Sequence, residues 1–124
     1  MGGSMHWKTI RLELASTPEF PAGSAGRAYL LRLPIDDDGM LDAAGLHNRP
    51  EHATVRRFWP SEPDPSGHIE RTASRWCMRC DGEANQEAVS LIKERPIQLG
   101  RQVIVTEADG RRLPFRGTAM RRLC

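Results

Sequence analysis

The stretch RQVIVTEADGRRLPFRGTAMRRL, residues 101–123, decides the fold. Val103 and Val105 occupy alternate positions ahead of an Asp-Gly pair at 109–110, and a second β-rich run follows. Asp-Gly between two such runs is among the strongest short-range signals for a β-hairpin. The stretch therefore predicts strands over 101–107 and 113–123, joined by a turn over 108–110.

Upstream segments also have the two-residue period of a half-buried strand. In the first of them, Ile10, Leu12 and Leu14 alternate with polar residues. The predicted strands are 7–14, 27–33, 53–59, 68–72 and 74–80. Pro34 is expected to end the second strand, because proline has no N–H to donate to a central ladder.

Turn and helix signals separate these strands. The run Asp36-Asp37-Asp38-Gly39 predicts a turn, and Asp42 is a candidate N-cap for a short helix over 43–47. Residues 83–94 are ambiguous, since their apolar residues fit a helical stripe but also alternate as in a strand. We favour a helix in the first half of that segment and leave the second half open.

These elements predict a mainly β protein: a small barrel or a strongly coiled antiparallel sheet of about five to seven strands, with one or two short helices. The chain has 124 residues, which suits one domain able to bury about two-thirds of its unfolded surface. Residues 1–4 are interpreted as the remnant of an expression tag ahead of Met5. Residues 5–124 are predicted to form a single β-rich domain.

Composition limits the compartment and the partners. The net charge is +2, carried by sixteen arginines, two lysines and sixteen acidic residues. Arginine suits anion-binding surfaces, but its even spread along the chain favours a GC-rich coding bias. No apolar run approaches the ~18 residues of a membrane span, so no membrane association is expected. Three cysteines, an odd number, fit a reduced, cytoplasmic protein.

Cys77-Met78-Arg79-Cys80 is a C-x-x-C motif, which can ligate zinc or cycle between thiol and disulfide. A structural zinc site needs four ligands, and the sequence has no second cysteine pair. The motif also lies in a predicted strand, where residues three apart point to opposite faces. We therefore favour two cysteines that act as small strand residues over a metal site at Cys77 and Cys80. No cofactor is predicted, because no glycine-rich phosphate loop is present.

The most suggestive cluster comprises Arg56, Arg57, Trp59, Arg75 and Trp76 on two predicted strands. Arginines interleaved with aromatics on a sheet are typical of single-stranded nucleic-acid binding, in which bases stack on rings and guanidinium groups contact phosphates. The same pattern arises where one strand face packs in the core. Since the chain has only seven aromatic residues, the core interpretation is favoured and nucleic-acid binding is the alternative.

Several segments together resemble a family of small, uncharacterised bacterial proteins. They are WKTIRLEL at 7–14, RAYLLRLP at 27–34, VRRFWP at 55–60 and LPFR at 113–116. The resemblance extends over nearly the whole chain from Met5, which implies one intact domain. It implies no activity and no catalytic residues.

The leading hypothesis is a cytoplasmic, non-catalytic, barrel-like module that binds a protein or a small ligand. Its proline- and glycine-rich loops would carry the binding residues on a rigid scaffold. No motif of a hydrolase or a nucleotide-binding enzyme is present, so a non-catalytic role is favoured over an enzyme. The alternatives are single-stranded nucleic-acid binding and a metal- or thiol-dependent role for the C-x-x-C motif. The sequence leaves the oligomeric state open.

Overall fold

The computed structural model describes residues 5–61, 66–72, 75–80, 90–93, 96–107 and 109–123. Within these ranges eight antiparallel strands form a closed barrel, in which each strand pairs with the next and the last returns to the first. The strands are β1 (Met5–Leu14), β2 (Ser24–Asp36), β3 (Thr54–Phe58), β4 (Ser66–Thr72), β5 (Arg75–Cys80), β6 (Ser90–Lys93), β7 (Gln102–Thr106) and β8 (Arg112–Arg122). Helix α1 (Ala43–Asn48) and a 3-10 turn (Pro50–His52) connect β2 to β3.

The predicted mainly β barrel is confirmed, with one more strand than expected. Each segment predicted as a strand has a counterpart, displaced by a few residues at its ends. The additional strand is β6, in the second half of the ambiguous segment 83–94. The helix favoured for the first half of that segment lies outside the described residues, as does the interpretation of residues 1–4.

Pro34 does not end β2, and that prediction was wrong. Pro34 lies opposite Trp7 of β1 inside the strand, which continues to Asp36. The carbonyl of Pro34 accepts a hydrogen bond from the backbone N–H of Asp42, on the side away from β1. Pairing with β3 has already ended at Arg32. The missing proline N–H therefore leaves no ladder bond unmade.

Helix α1 and the loop before β7 pack at one end of the barrel. Asp42 caps the helix as predicted, since its Oδ2 accepts a hydrogen bond from the backbone N–H of Gly45 at 3.0 Å. Leu41 and Leu46 from this region and Ile97 from the loop are buried in the common core. A Cβ at Gly45 would lie only 2.9 Å from side-chain atoms of Met5 and Pro34, so a glycine lets α1 sit against the strands.

The predicted turn at residues 36–39 is confirmed. The Oδ1 atom of Asp36 accepts hydrogen bonds from the backbone N–H groups of Asp38 and Met40. Gly39 has a φ of +86°, the left-handed region in which glycine has no steric penalty. The turn thus reverses the chain after β2 and leads it into the helix-bearing end.

The Asp-Gly hairpin between β7 and β8 is also confirmed. Gly110 has a φ of +90°. Asp109 accepts the backbone N–H of Arg111 at 2.9 Å and its guanidinium Nε at 2.7 Å. The hydrogen bond from the backbone N–H of Arg111 is the main cause that lowers the pKa of the Asp109 carboxyl below its ordinary value.

The barrel interior is filled with apolar side chains from alternate positions of the strands. An eight-stranded barrel is just wide enough for side chains to fill it. The fully buried residues with the largest side chains are Trp76, Tyr29, Phe115, Ile10, Leu12, Leu31, Leu33, Ile35, Ile97, Val55 and Val103. Among the side chains that the structure describes, those in the middle of the barrel are therefore packed into a common core.

Two leucine substitutions test this packing. Leu31 has no exposed surface, whereas Leu99 is 59% exposed. We expect Leu31→Ala to lower the free energy of unfolding by about 2–5 kcal/mol, through lost apolar contacts and the cavity left behind. The same substitution at Leu99 should change it by less than about 0.5 kcal/mol. Urea denaturation followed by tryptophan fluorescence measures both, and similar losses at the two positions would contradict the described core.

Candidate functional site

The barrel has a second end, opposite α1, which we call the distal end. Strands β1, β3 and β7 finish there, and β2 and β8 begin there. The register places Leu14 opposite Phe115 and Tyr29 opposite Arg57. Side chains from five strands and their adjoining loops therefore converge at this end.

At the distal end, charged side chains take the place of the apolar ones that face inward along the rest of two strands. In β3 the series passes from buried Val55 to Arg57, and after β7 it passes from Val105 to Glu107. In β2, Arg27 lies in the irregular stretch before Ala28, and its guanidinium is placed at the distal end by its contacts with the rings of Phe20 and Trp59. Ionisable groups are seldom placed inside a barrel unless they are paired or have a functional use.

Glu107 is the buried charged group at this end, with 4% of its surface exposed. One carboxylate oxygen, Oε2, accepts a hydrogen bond from the hydroxyl of Tyr29. The other, Oε1, lies 3.3 Å from Nη2 of Arg57, whose side chain is 21% exposed. A buried carboxylate needs such partners, because desolvation would otherwise cost several kcal/mol.

The aromatic rings at the distal end hold the two arginines. The guanidinium of Arg57 lies 4.0 Å from the ring centroid of Trp59. The guanidinium of Arg27 lies 4.1 Å from the ring centroid of Phe20 and 5.9 Å from that of Trp59. Cation–π contacts of this kind are worth about 0.5–2 kcal/mol. The rings therefore hold both guanidinium groups in defined positions.

A cavity of about 100 Å³ lies beside these rings. Its lining residues are Leu14, Thr17, Glu19, Phe20, Arg27, Trp59, Arg111 and Leu113. Arg27 donates to the hydroxyl of Ser24 at 3.2 Å, and Arg111 pairs with Asp109 at 2.7 Å. The cavity thus combines an apolar wall with two guanidinium groups and the carboxylate of Glu19. The guanidinium groups suit an anionic group attached to an apolar body.

The structure separates the residues of the predicted Arg/Trp cluster. Arg57 and Trp59 lie together at the distal end, whereas Arg56 is exposed on the outer surface beside Phe58, at 5.1 Å from its ring centroid. Trp76 is 1% exposed in the core, and its indole N–H has no partner among the described residues. The side chain of Arg75 lies outside the described part. Stacking a base on Trp76 would require opening the core.

The C-x-x-C motif lies on β5, so the strand predicted for this segment is confirmed. Cys77 is buried, and the side chain of Cys80 lies outside the described residues. Within the described ranges, no group of three or more histidine, cysteine or acidic side chains is arranged to hold a metal ion.

Sequence reasoning missed Tyr29, Glu107 and Arg27 as parts of one site. A signal for one of them was present, because Glu107 falls in register with the inward-facing Val103 and Val105. A charged residue at an inward position near a strand end is informative, since that position is desolvated. Without the strand order, the three could not be brought together.

Comparisons with protein-family models, with curated proteins and with solved structures found no match. The described part of the chain contains no helix of the length and hydropathy needed to cross a membrane. What the site does must therefore be inferred from its own geometry and chemistry.

A double-mutant cycle tests the buried network. We expect Tyr29→Phe and Glu107→Gln each to lower the free energy of unfolding by about 1–3 kcal/mol, because each removes or weakens a buried hydrogen bond. The double variant should lose less than the sum, with a coupling energy of about 0.5–3 kcal/mol. As a control, Tyr29→Phe combined with Arg49→Gln at the α1 end should be additive. Additivity between Tyr29 and Glu107 would contradict the hydrogen bond.

Proposed function

We propose that the protein is a non-catalytic binding module that holds the anionic group of a small organic molecule at the distal end of its barrel. The observation that carries the proposal is the position of Arg27. Its guanidinium lines the cavity, is stacked against Phe20 and Trp59, and has no carboxylate partner among the described residues.

The charges around the cavity support Arg27 as the group that contacts the ligand. Arg57 is already paired with Glu107, and Arg111 with Asp109. Arg27 makes one hydrogen bond, to the neutral hydroxyl of Ser24. A planar guanidinium stacked on a ring still presents N–H groups along its edge, and these match a carboxylate or phosphate in a bidentate manner.

The size of the cavity limits the ligand. Its volume of about 100 Å³ corresponds to roughly three water molecules at about 30 Å³ each. Sites that enclose a whole drug-sized ligand are several times larger, about 300–1,000 Å³. The cavity therefore suits a carboxylate or phosphate with a few attached atoms, and the apolar remainder of the ligand would lie along Trp59 and Leu113.

The Glu107 network supports a binding role over a catalytic one. Glu107 is engaged on both carboxylate oxygens, by Tyr29 and by Arg57, so it holds these two side chains in position. Preorganised side chains reduce the entropy lost on binding. The cysteine content supports a cytoplasmic location for this module.

A ligand titration tests the function. Two-dimensional NMR of the ¹⁵N-labelled protein would be recorded with small aromatic and aliphatic carboxylates and phosphate monoesters. We expect shifts at the Trp59 indole N–H and at Arg27. Arg27→Gln should weaken binding by about tenfold or more, because a hydrogen bond to a charged group contributes about 1.5–3 kcal/mol. Arg27→Lys keeps the charge but loses the planar guanidinium, so its affinity should lie between that of the parent protein and that of Arg27→Gln.

Arg49→Gln is the matched control, since Arg49 is exposed near α1 at the other end of the barrel. It should bind as the parent protein does. Shifts that map away from residues 14–29, 57–59 and 111–115, or equal losses for the Arg27 and Arg49 variants, would overturn the distal-end assignment. Chemical conversion of a bound ligand would overturn the non-catalytic part.

A further inference from the structure

The outer surface of four neighbouring strands collects arginines that are far apart in the sequence. Strand order places β8, β1, β2 and β3 side by side. Three cross-strand rows of residues run over them on the outer side of the sheet, and all except the buried Ala28 are at least partly exposed. The rows are Arg121–Thr9–Arg32–Thr54, Ala119–Arg11–Leu30–Arg56 and Arg116–Glu13–Ala28–Phe58. We call this surface the basic face.

The basic face is much more positive than the chain as a whole. Its three rows contain five arginines and one acidic residue, Glu13, whereas the whole chain carries a net charge of only +2. Glu13 is paired with Arg11 at 2.7 Å. The other four arginines, Arg32, Arg56, Arg116 and Arg121, are exposed, and none of them makes an ion pair within the described part of the chain.

The arginines are close enough to repel one another. Arg32 lies opposite Thr9 and Thr54, so Arg11 and Arg56 are its diagonal neighbours on either side. Diagonal neighbours across a sheet are about 7–8 Å apart at their Cα atoms. Like charges at this spacing repel one another. A run of phosphates along the rows would relieve that repulsion.

An aromatic ring lies among these guanidinium groups. Phe58 is half-buried on the basic face, with Arg56 at 5.1 Å and Arg11 at 5.9 Å from its ring centroid. Bases of single-stranded nucleic acids stack on aromatic rings and on guanidinium planes alike. The third row therefore offers a stacking position next to the phosphate-binding positions of the other two rows.

We propose that the basic face binds single-stranded nucleic acid, with phosphates on Arg32, Arg56 and Arg121 and a base at Phe58. This surface differs from the cluster predicted from the sequence and shares only Arg56 with it. Nucleic acid fits better than an anionic membrane, because Leu30 and Phe58, the large apolar side chains of the rows, are both half-buried and so offer little for insertion into lipid.

Fluorescence anisotropy of labelled oligo(dT) and oligo(U) of about 20 nucleotides, long enough for one site, tests the proposal. We expect binding at low salt that weakens as salt rises, with a logarithmic slope of about −0.7 for each phosphate contact. Arg32→Glu/Arg56→Glu should weaken binding by about tenfold or more and make the slope shallower by about 1.4, the equivalent of two contacts. Arg32→Gln/Arg56→Gln, which removes the two charges without reversing them, should also weaken oligonucleotide binding, but by less.

The control is Arg49→Glu, which changes the charge by two units at an exposed arginine outside the three rows and is compared with Arg32→Glu and Arg56→Glu made singly. Arg49→Glu should retain parental binding. Phe58→Leu, which keeps apolar volume but removes the ring, should weaken binding about fivefold or more without changing the salt slope. Circular dichroism and thermal melts confirm that each variant is folded.

Three results would overturn the proposal. They are no binding at low salt, an equal loss for Arg49→Glu and for the Arg32/Arg56 variants, or binding to anionic phosphatidylserine vesicles without binding to either oligonucleotide. Arg27→Gln separates this proposal from the distal-end ligand site, since it should leave oligonucleotide binding intact.

Discussion

The pairing of β1 with β8 closes the barrel, and the rest of the structure depends on it. Residues Lys8–Leu14 lie against residues Phe115–Arg122, across almost the whole sequence. Closure removes the exposed edges that an open sheet would present. It also separates an enclosed interior from the outer surface for every strand. A bulge between Arg11 and Leu12 in this pairing allows the two strands to keep their apolar faces inward despite an extra residue in β8.

Closure explains why the polar groups of the interior lie at the distal end and are paired. A charged side chain in the middle of an eight-stranded barrel would be fully desolvated, at a cost that its partners would have to offset. At the strand ends, Arg57 reaches solvent with about a fifth of its side chain while it contacts the nearly buried Glu107. Tyr29 completes the arrangement from the neighbouring strand. This location at the strand ends gives the charged groups their partners and also places them beside the cavity.

Local patterns predicted most of the barrel, because the alternation of apolar and polar residues in each strand indicates which side chains face the core and which face outward. Ile10, Leu12 and Leu14 are buried as their spacing required. The prediction that Pro34 ends β2 is wrong because proline interrupts a strand only where a neighbouring strand needs a backbone N–H at that position. Pairing with β3 has already ended before Pro34. The second half of 83–94 was left open because a four-residue strand is too short for its period to separate it from a helix.

The candidate sites were harder to predict, because they depend on strand order. Trp59 follows Arg56-Arg57-Phe58 and Trp76 follows Arg75 in the sequence, yet Trp76 is buried in the core and Trp59 lines the cavity at a barrel end. Similarly, no local pattern groups Arg121, Arg11 and Arg56, which come from three strands. Their even spread along the chain favoured a coding bias, and only the folded order of strands brings them to one surface.

Strand β2 contributes to both surfaces, and its register keeps them apart. Arg27 lines the cavity, whereas Arg32 is exposed on the basic face. A slip of one residue would exchange the two faces along the whole strand. The start of β2 is fixed by the bulge between Glu13 and Leu14 and by Gly23, where a Cβ would lie 2.5 Å from the carbonyl oxygen of Leu14. Glycine at position 23 therefore permits the close approach of the chain to Leu14 where β2 begins, beside the cavity.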